Sequence, residues 1–203
     1  GLDAGFYHSS GNNYIENNTG NLTIANYAND KDIIFQSDDG SGGVETYFFL
    51  DGSSGYTLFP DGKILGFGTA GDLSLQHDGN NSYINANGTG DLIIKQMTDD
   101  KDIIFQCDDG SGGVATYLTL DGGLGYTTVQ KRMKFDDNTQ LQFGNGGDLQ
   151  FFHTGSIGIL YNNTGDFRFR QNTNDGDIAF ECDDGSGGTT AYLTLDGSAG
   201  HTR

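Results

Sequence analysis

Three near-copies of one segment follow one another along the 203-residue chain, and whatever it folds into must repeat with them. Residues 101–122 read Lys-Asp-Ile-Ile-Phe-Gln-Cys-Asp-Asp-Gly-Ser-Gly-Gly-Val-Ala-Thr-Tyr-Leu-Thr-Leu-Asp-Gly; a near-duplicate stands 70 residues earlier at 31–52 and a third 75 residues later at 176–197. The match extends outward. Gly-Asp-Leu-Ser-Leu-Gln-His at 71–77 answers Gly-Asp-Leu-Gln-Phe-Phe-His at 147–153, with a decayed version, Leu-Asp-Ala-Gly-Phe-Tyr-His, at 2–8. Further upstream, 59–67 matches 135–143, aligning Leu65 with Leu141 and, just beyond, Gly68 with Gly144. Tandem repeats of about 70–76 residues thus divide the chain into 1–57, 58–127 and 128–203. The first copy lacks its opening strand, and the chain stops at His201-Thr202-Arg203, where Tyr126-Thr127 closes the middle copy. Both ends therefore read as cut from a longer array.

Within a unit the apolar residues alternate with a period of two, which predicts strands. Leu73, Leu75 and His77 share one face, as do Leu92 and Ile94, then Ile103, Phe105 and Cys107, then Leu118 and Leu120. Each run ends in turn chemistry such as Asp78-Gly79-Asn80, Gly88-Thr89-Gly90 or Asp109-Gly110-Ser111-Gly112-Gly113, where glycine and asparagine supply positive backbone angles. No window holds a helical period. The expectation is an all-β chain with about six short strands per unit.

Such a chain has little with which to build a core. Hydrophobic residues make up 34% of it, 34 residues are glycine and the net charge is −18, a balance that by itself suggests disorder. Against disorder stand the 12% aromatic content and the fixed apolar spacing. A single unit has too few inward side chains to offset its ordering entropy and too many open strand edges. Three chains wrapped about one axis would give each edge a partner and bring three apolar faces together, so a homotrimer is expected.

The charge balance also narrows the partners. With 28 acidic against 10 basic side chains, neither nucleic acid nor an anionic membrane surface is an expected partner; the one dense basic patch, Lys131, Arg132 and Lys134, reads as a solvated turn. No stretch has the ~20 apolar residues a membrane span needs. Cys107 and Cys182 occupy equivalent places in successive copies, where the first has Ser37, so no internal disulfide is expected.

Four motifs together resemble a known family. Gly-Asp-Leu-x-x-x-His-Asp-Gly-x-Asn-Ser-Tyr-Ile at 71–84, Thr-Gly-Asp-Leu-x-Ile at 89–94, Asp-Ile-x-Phe-x-x-Asp-Asp-Gly-Ser-Gly-Gly at 102–113 and Tyr-Leu-x-Leu-Asp-Gly at 117–122 are similar to repeats of tail-fibre and virion structural proteins of marine and freshwater phages, cyanophages especially. The middle copy carries the pattern best. The first departs from it at Ala4-Gly5, and the third replaces Asn-Ser-Tyr by Ile157-Gly158-Ile159. The resemblance implies an elongated, intertwined trimeric β-helix-like fibre: a stiff shaft in a virion or other extracellular setting, joined to other virion or fibre proteins and positioning a host-recognition tip. Two alternatives stay open, a carbohydrate-binding fibre module for host-surface glycans and an extracellular microbial fibril.

No residue is assigned to catalysis, to a cofactor or to a metal, and the chain is not expected to be an enzyme. His8, His77 and His153 recur on the predicted inward face, where three chains would gather three imidazoles. Each lacks a nearby second ligand, so a hydrogen-bonded polar layer is the simpler reading. Asp38-Asp39-Gly40, Asp108-Asp109-Gly110 and Asp183-Asp184-Gly185 offer clustered carboxylates to calcium, but their spacing is not that of an EF-hand and Asp-Gly is an ordinary turn. A glycosidase pair would need two carboxylates in contrasting environments, whereas every candidate here recurs in all copies. Tyr47, Tyr117 and Tyr192 fall off the alternating positions and are read as packing between chains rather than stacking on sugar.

Overall fold

Short alternating runs punctuated by glycine favour ladders between immediate neighbours in sequence. In the computed structural model, which describes residues 3–202, every ladder is of that kind. Leu2, in the decayed first copy, and Arg203, at the close of the third, lie outside the described residues. The chain divides into two compact units, Gly1–Lys95 and Gln96–Arg203.

The first unit holds β1 (Ala4–Ser9) paired with β2 (Asn12–Asn17), then β3 (Ile33–Asp38), β4 (Val44–Asp51) and β5 (Tyr56–Leu58) in one sheet, then β6 (Ile64–Phe67), β7 (Leu73–His77) and β8 (Ser82–Ala86) in another. The second unit has β9 (Ile103–Asp108), β10 (Val114–Asp121) and β11 (Tyr126–Val129); β12 (Leu141–Phe143), β13 (Leu149–His153) and β14 (Gly158–Asn162); and β15 (Ile178–Asp183), β16 (Thr189–Asp196) and β17 (His201–Thr202). All pairings are antiparallel, in meander order, and no helix occurs among the described residues. The chain is therefore all-β, and the middle copy does contain six strands. Strands β5 and β11 run across the repeat joins at 57/58 and 127/128.

Two sheet types alternate along the sequence. In the β6–β8 type, Leu75 lies between Leu65 and Ile84, and Leu73 between Phe67 and Ala86, which makes one apolar face. In the β9–β11 type, Phe105 faces Leu118 and Ile103 faces Leu120. The first copy fills the same places with aromatic rings: Phe35 stacks on Phe48 with centroids 4.4 Å apart, and Phe48 on Phe59 at 5.6 Å. The turn between β13 and β14 keeps the form of that between β7 and β8 although its residues differ. Thr154 N–H donates to Ile157 O as Asp78 N–H donates to Asn81 O, with Gly155 and Gly79 at φ 93° and 98°.

The central strand of the second sheet type carries a β-bulge in all three copies. Phe105 pairs with Leu118 while Gln106 pairs with Thr116, which leaves Tyr117 as the extra residue; Tyr47 and Tyr192 hold the same position in the other copies. This bulge reverses the parity of the strand, so that Ala115, opposite Cys107, shares a face with Leu118 and Leu120.

One expected strand is absent. Leu92 and Ile94 lie in residues 91–97, which pair with nothing, and the equivalent residues 21–27 and 166–172 are likewise outside any ladder. The alternation is present, but no neighbouring edge of the same chain reaches it.

The apolar faces have no cover. Among the described residues no hydrophobic side chain is buried, and the buried polar ones are Ser74, Thr119 and Asp196. The chain exposes 16278 Å², against about 9,200 Å² for a folded monomer of its mass.

Candidate functional site

The most strongly repeated local structure is the hairpin loop that joins the first two strands of each bulged sheet. In Asp-Asp-Gly-Ser-Gly-Gly the first carboxylate turns back on the chain: Oδ1 of Asp38, Asp108 and Asp183 each accepts the amide two residues on at 2.7 Å. The second carboxylate organises the rest. Asp39 Oδ1 accepts from Ser41 N–H at 2.7 Å, Ser41 Oγ–H at 2.8 Å and Gly43 N–H at 3.0 Å, and Asp109 and Asp184 repeat the set with Ser111 and Gly113, and with Ser186 and Gly188. The bulged tyrosine closes the loop, since the hydroxyls of Tyr47, Tyr117 and Tyr192 donate to the carbonyls of Asp38, Asp108 and Asp183 at 3.0, 2.9 and 3.1 Å.

These bonds favour the ionised carboxylate. Ser41 and Gly43 hold Asp39 below the usual carboxylate range, and the Ser111 and Ser186 hydroxyls lead the same effect on Asp109 and Asp184. In the next turn, the Ser53 hydroxyl and Ser54 amide bring Asp51 to about 2. One oxygen, Oδ1, of each carboxylate that sequence alone offers to calcium is thus engaged by the loop's own donors.

A carboxylate whose folded pKa lies below its unfolded value of ~3.9 contributes stability that is complete above that value and is lost as pH falls through the folded one. Replacing Asp39, Asp109 and Asp184 together by Asn is therefore expected to lower the unfolding midpoint near neutral pH. The gap to the parent should close below about pH 4 as the parent's own carboxylates protonate. Thermal unfolding of both proteins from pH 7 to 2 checks this; a gap that does not change with pH would remove the charge from the account.

The histidines stand at strand ends on the apolar face of the other sheet type. His77 shares the parity of Leu73 and Leu75, and each ring is met by a different neighbour: His8 Nδ1 by Asn13 Oδ1 at 3.1 Å, His77 Nδ1 by Ser82 Oγ at 3.2 Å, and His153 Nδ1 by Asp137 Oδ1 at 2.8 Å. Gly155 N–H also points at His153 Nδ1, at 3.0 Å. Accepting that bond and donating to Asp137 exclude one another, so the tautomer selects between them. No three His, Cys, Asp or Glu side chains among the described residues converge as metal ligands would. Cys107 and Cys182 are free and exposed.

The tyrosine latch is the feature that sequence reasoning misses. Its signal was available, because a tyrosine stands nine residues after the first Asp of the loop in every copy. Shallow apolar grooves are the other recurring feature. One of about 440 Å³ lies in the second unit, lined by Met133, Phe135, Leu141, Phe151 and Phe152 with the polar Asp136, Thr139 and His153 and with Gly158.

No protein-family profile, curated protein or solved structure matches the chain.

Proposed function

We propose that this chain is a structural shaft segment of a homotrimeric fibre of the phage tail-fibre kind, a rod that sets a host-recognition tip at a distance from the virion. The observation that carries the reading is the uncovered surface. A chain of 21.7 kDa that exposes 16278 Å² and buries no hydrophobic side chain among its described residues has arranged its apolar residues on sheet faces and left the covering to something else. The excess over a compact monomer, roughly 7,000 Å², is several times the ~800 Å² per partner of an ordinary stable interface. Repeats supply the rest of the argument. A face offered again in each copy is most economically covered by a partner with the same repeat, and two further copies of the chain provide it along the whole length.

The function that follows is mechanical. Interchain packing of the sheet faces would resist bending, while a net charge of −18 per chain keeps finished rods apart. Light scattering coupled to size exclusion is expected to give about three times the chain mass, with the species persisting in detergent and on moderate heating. A monomer mass would overturn the reading.

A further inference from the structure

We infer that residues 21–27, 91–97 and 166–172 are interchain β-strands, each pairing edge to edge with a strand of another copy of this chain. The inference rests on the self-association proposed above and adds the place where the backbone ladders form.

The sequence of these segments is that of a strand. Leu22 and Ile24, Leu92 and Ile94, and Phe167 and Phe169 recur at the same two positions, with Thr23, Ile93 and Arg168 between them. The Phe167 and Phe169 rings meet at 4.7 Å, as neighbours on one face do. Yet no backbone–backbone hydrogen bond among the described residues involves any of the three segments, and the six apolar side chains are 44 to 62% exposed.

Each segment runs without turn or bend, every residue in it has negative φ, and hydrogen-bonded turns stand at both ends. Upstream, Asn17 Nδ2 donates to Gly20 O, Asn162 Nδ2 to Thr164 O and Gly165 O, and the Asn87 and Gly88 amides to Asp72 O. Downstream, Asn26, Gln96 and Gln171 turn their side-chain oxygens onto the amides of Ala28, Thr98 and Thr173 at 3.1, 2.8 and 2.8 Å. A tight turn follows, ending in Asp30, Asp100 or Asp175 at φ 55° to 58°. A stretch without turn or bend, bounded by local turns and making no backbone–backbone bond, is a strand set up for an edge it does not find in its own chain.

A second copy of the chain is the occupant that fits. The three segments are offset by 70 and 75 residues, an uneven spacing that another copy in register reproduces at all three places. An unrelated partner would have to supply three free strands at those same intervals. Water would satisfy the peptide groups equally well, but it would leave the alternating apolar side chains wet in every repeat.

Hydrogen–deuterium exchange of the full chain, read by mass spectrometry alongside its measured mass, tests this. In the assembled protein the amides of the three segments should exchange at least 100-fold more slowly than free-chain rates. An oligomer whose segments exchange at free-chain rates would overturn the inference and leave the trimeric reading standing; a monomer would overturn both. Ile93→Pro and Ile94→Pro remove donors that point to opposite edges of the strand and make no bond within the chain. At least one should lower the dissociation temperature of the assembly, whereas Ile93→Thr, which keeps the amide and copies Thr23, should not. If neither proline does so, the ladder is not there.

Discussion

Phe105→Asp is expected to leave the chain soluble and β-structured but unable to assemble. Phe105 lies in the middle of β9 opposite Leu118, on the uncovered apolar face, and is 46% exposed in the single chain. A carboxylate there keeps contact with water as long as the chain stands alone, so the local meander is expected to form and to give a β-type far-ultraviolet circular dichroism spectrum, short only of the strands that form between chains. Assembly changes the balance. Covering that face in a trimer would desolvate three uncompensated charges, and each costs about 3–5 kcal/mol when no partner is at hand. The sum, about 9–15 kcal/mol, is of the order of a whole micromolar-to-picomolar association free energy. Sedimentation velocity at micromolar concentration should find monomer. A normal trimer from this variant would mean that the opposite face, with Ile104 and Thr119, is the one that packs.

The second large effect is expected from Gly122→Ala, and it concerns the fold rather than assembly. Gly122 follows β10 where the chain passes close to the turn at 98–101; its amide donates to Asp102 Oδ1 at 3.0 Å, and a Cβ would stand 2.3 Å from Lys101 O. Gly52 and Gly197 repeat the arrangement, with Asp32 and Asp177 accepting and a backbone oxygen 2.2 or 2.3 Å from the added carbon. Because the obstacle is backbone, it cannot swing aside, and relief requires the turn to move off the strand. That should cost about 1–3 kcal/mol in denaturant unfolding. Gly125→Ala is a useful contrast, since Gly125 sits at φ +70° with open space around it. There the penalty is conformational alone, about 1–2 kcal/mol, with no disturbance of the Asp102 bond. If Gly122→Ala proves as stable as the parent, the close approach relaxes freely and the glycine is not required.

Much of this was legible in the residues. Alternation at Leu73, Leu75 and His77, and at Ile103 and Phe105, identified strands and their apolar faces, and the Asp-Gly and Gly-Gly clusters marked the turns, because period and turn chemistry act over a few residues and need no knowledge of partners. Scarcity of apolar residues likewise foretold the missing core. The unpaired state of residues 91–97 was not legible: Leu92 and Ile94 alternate as well as any true strand here, and pairing depends on which edge lies within reach, a matter of geometry. Nor did composition reveal that Oδ1 of Asp39, Asp109 and Asp184 gathers the serine and glycine donors of its own loop, since that depends on the width of the loop.

Sequence by itself determined the repeat, the all-β class and the positions of the turns, since each is written in local spacing. Tertiary structure decided the phase of the bulged strands. One extra residue at Tyr47, Tyr117 and Tyr192 shifts every later side chain to the opposite face and brings a hydroxyl onto a loop carbonyl. A bulge is a relation between two strands, and a one-dimensional pattern carries the parity of each strand but not the register between them.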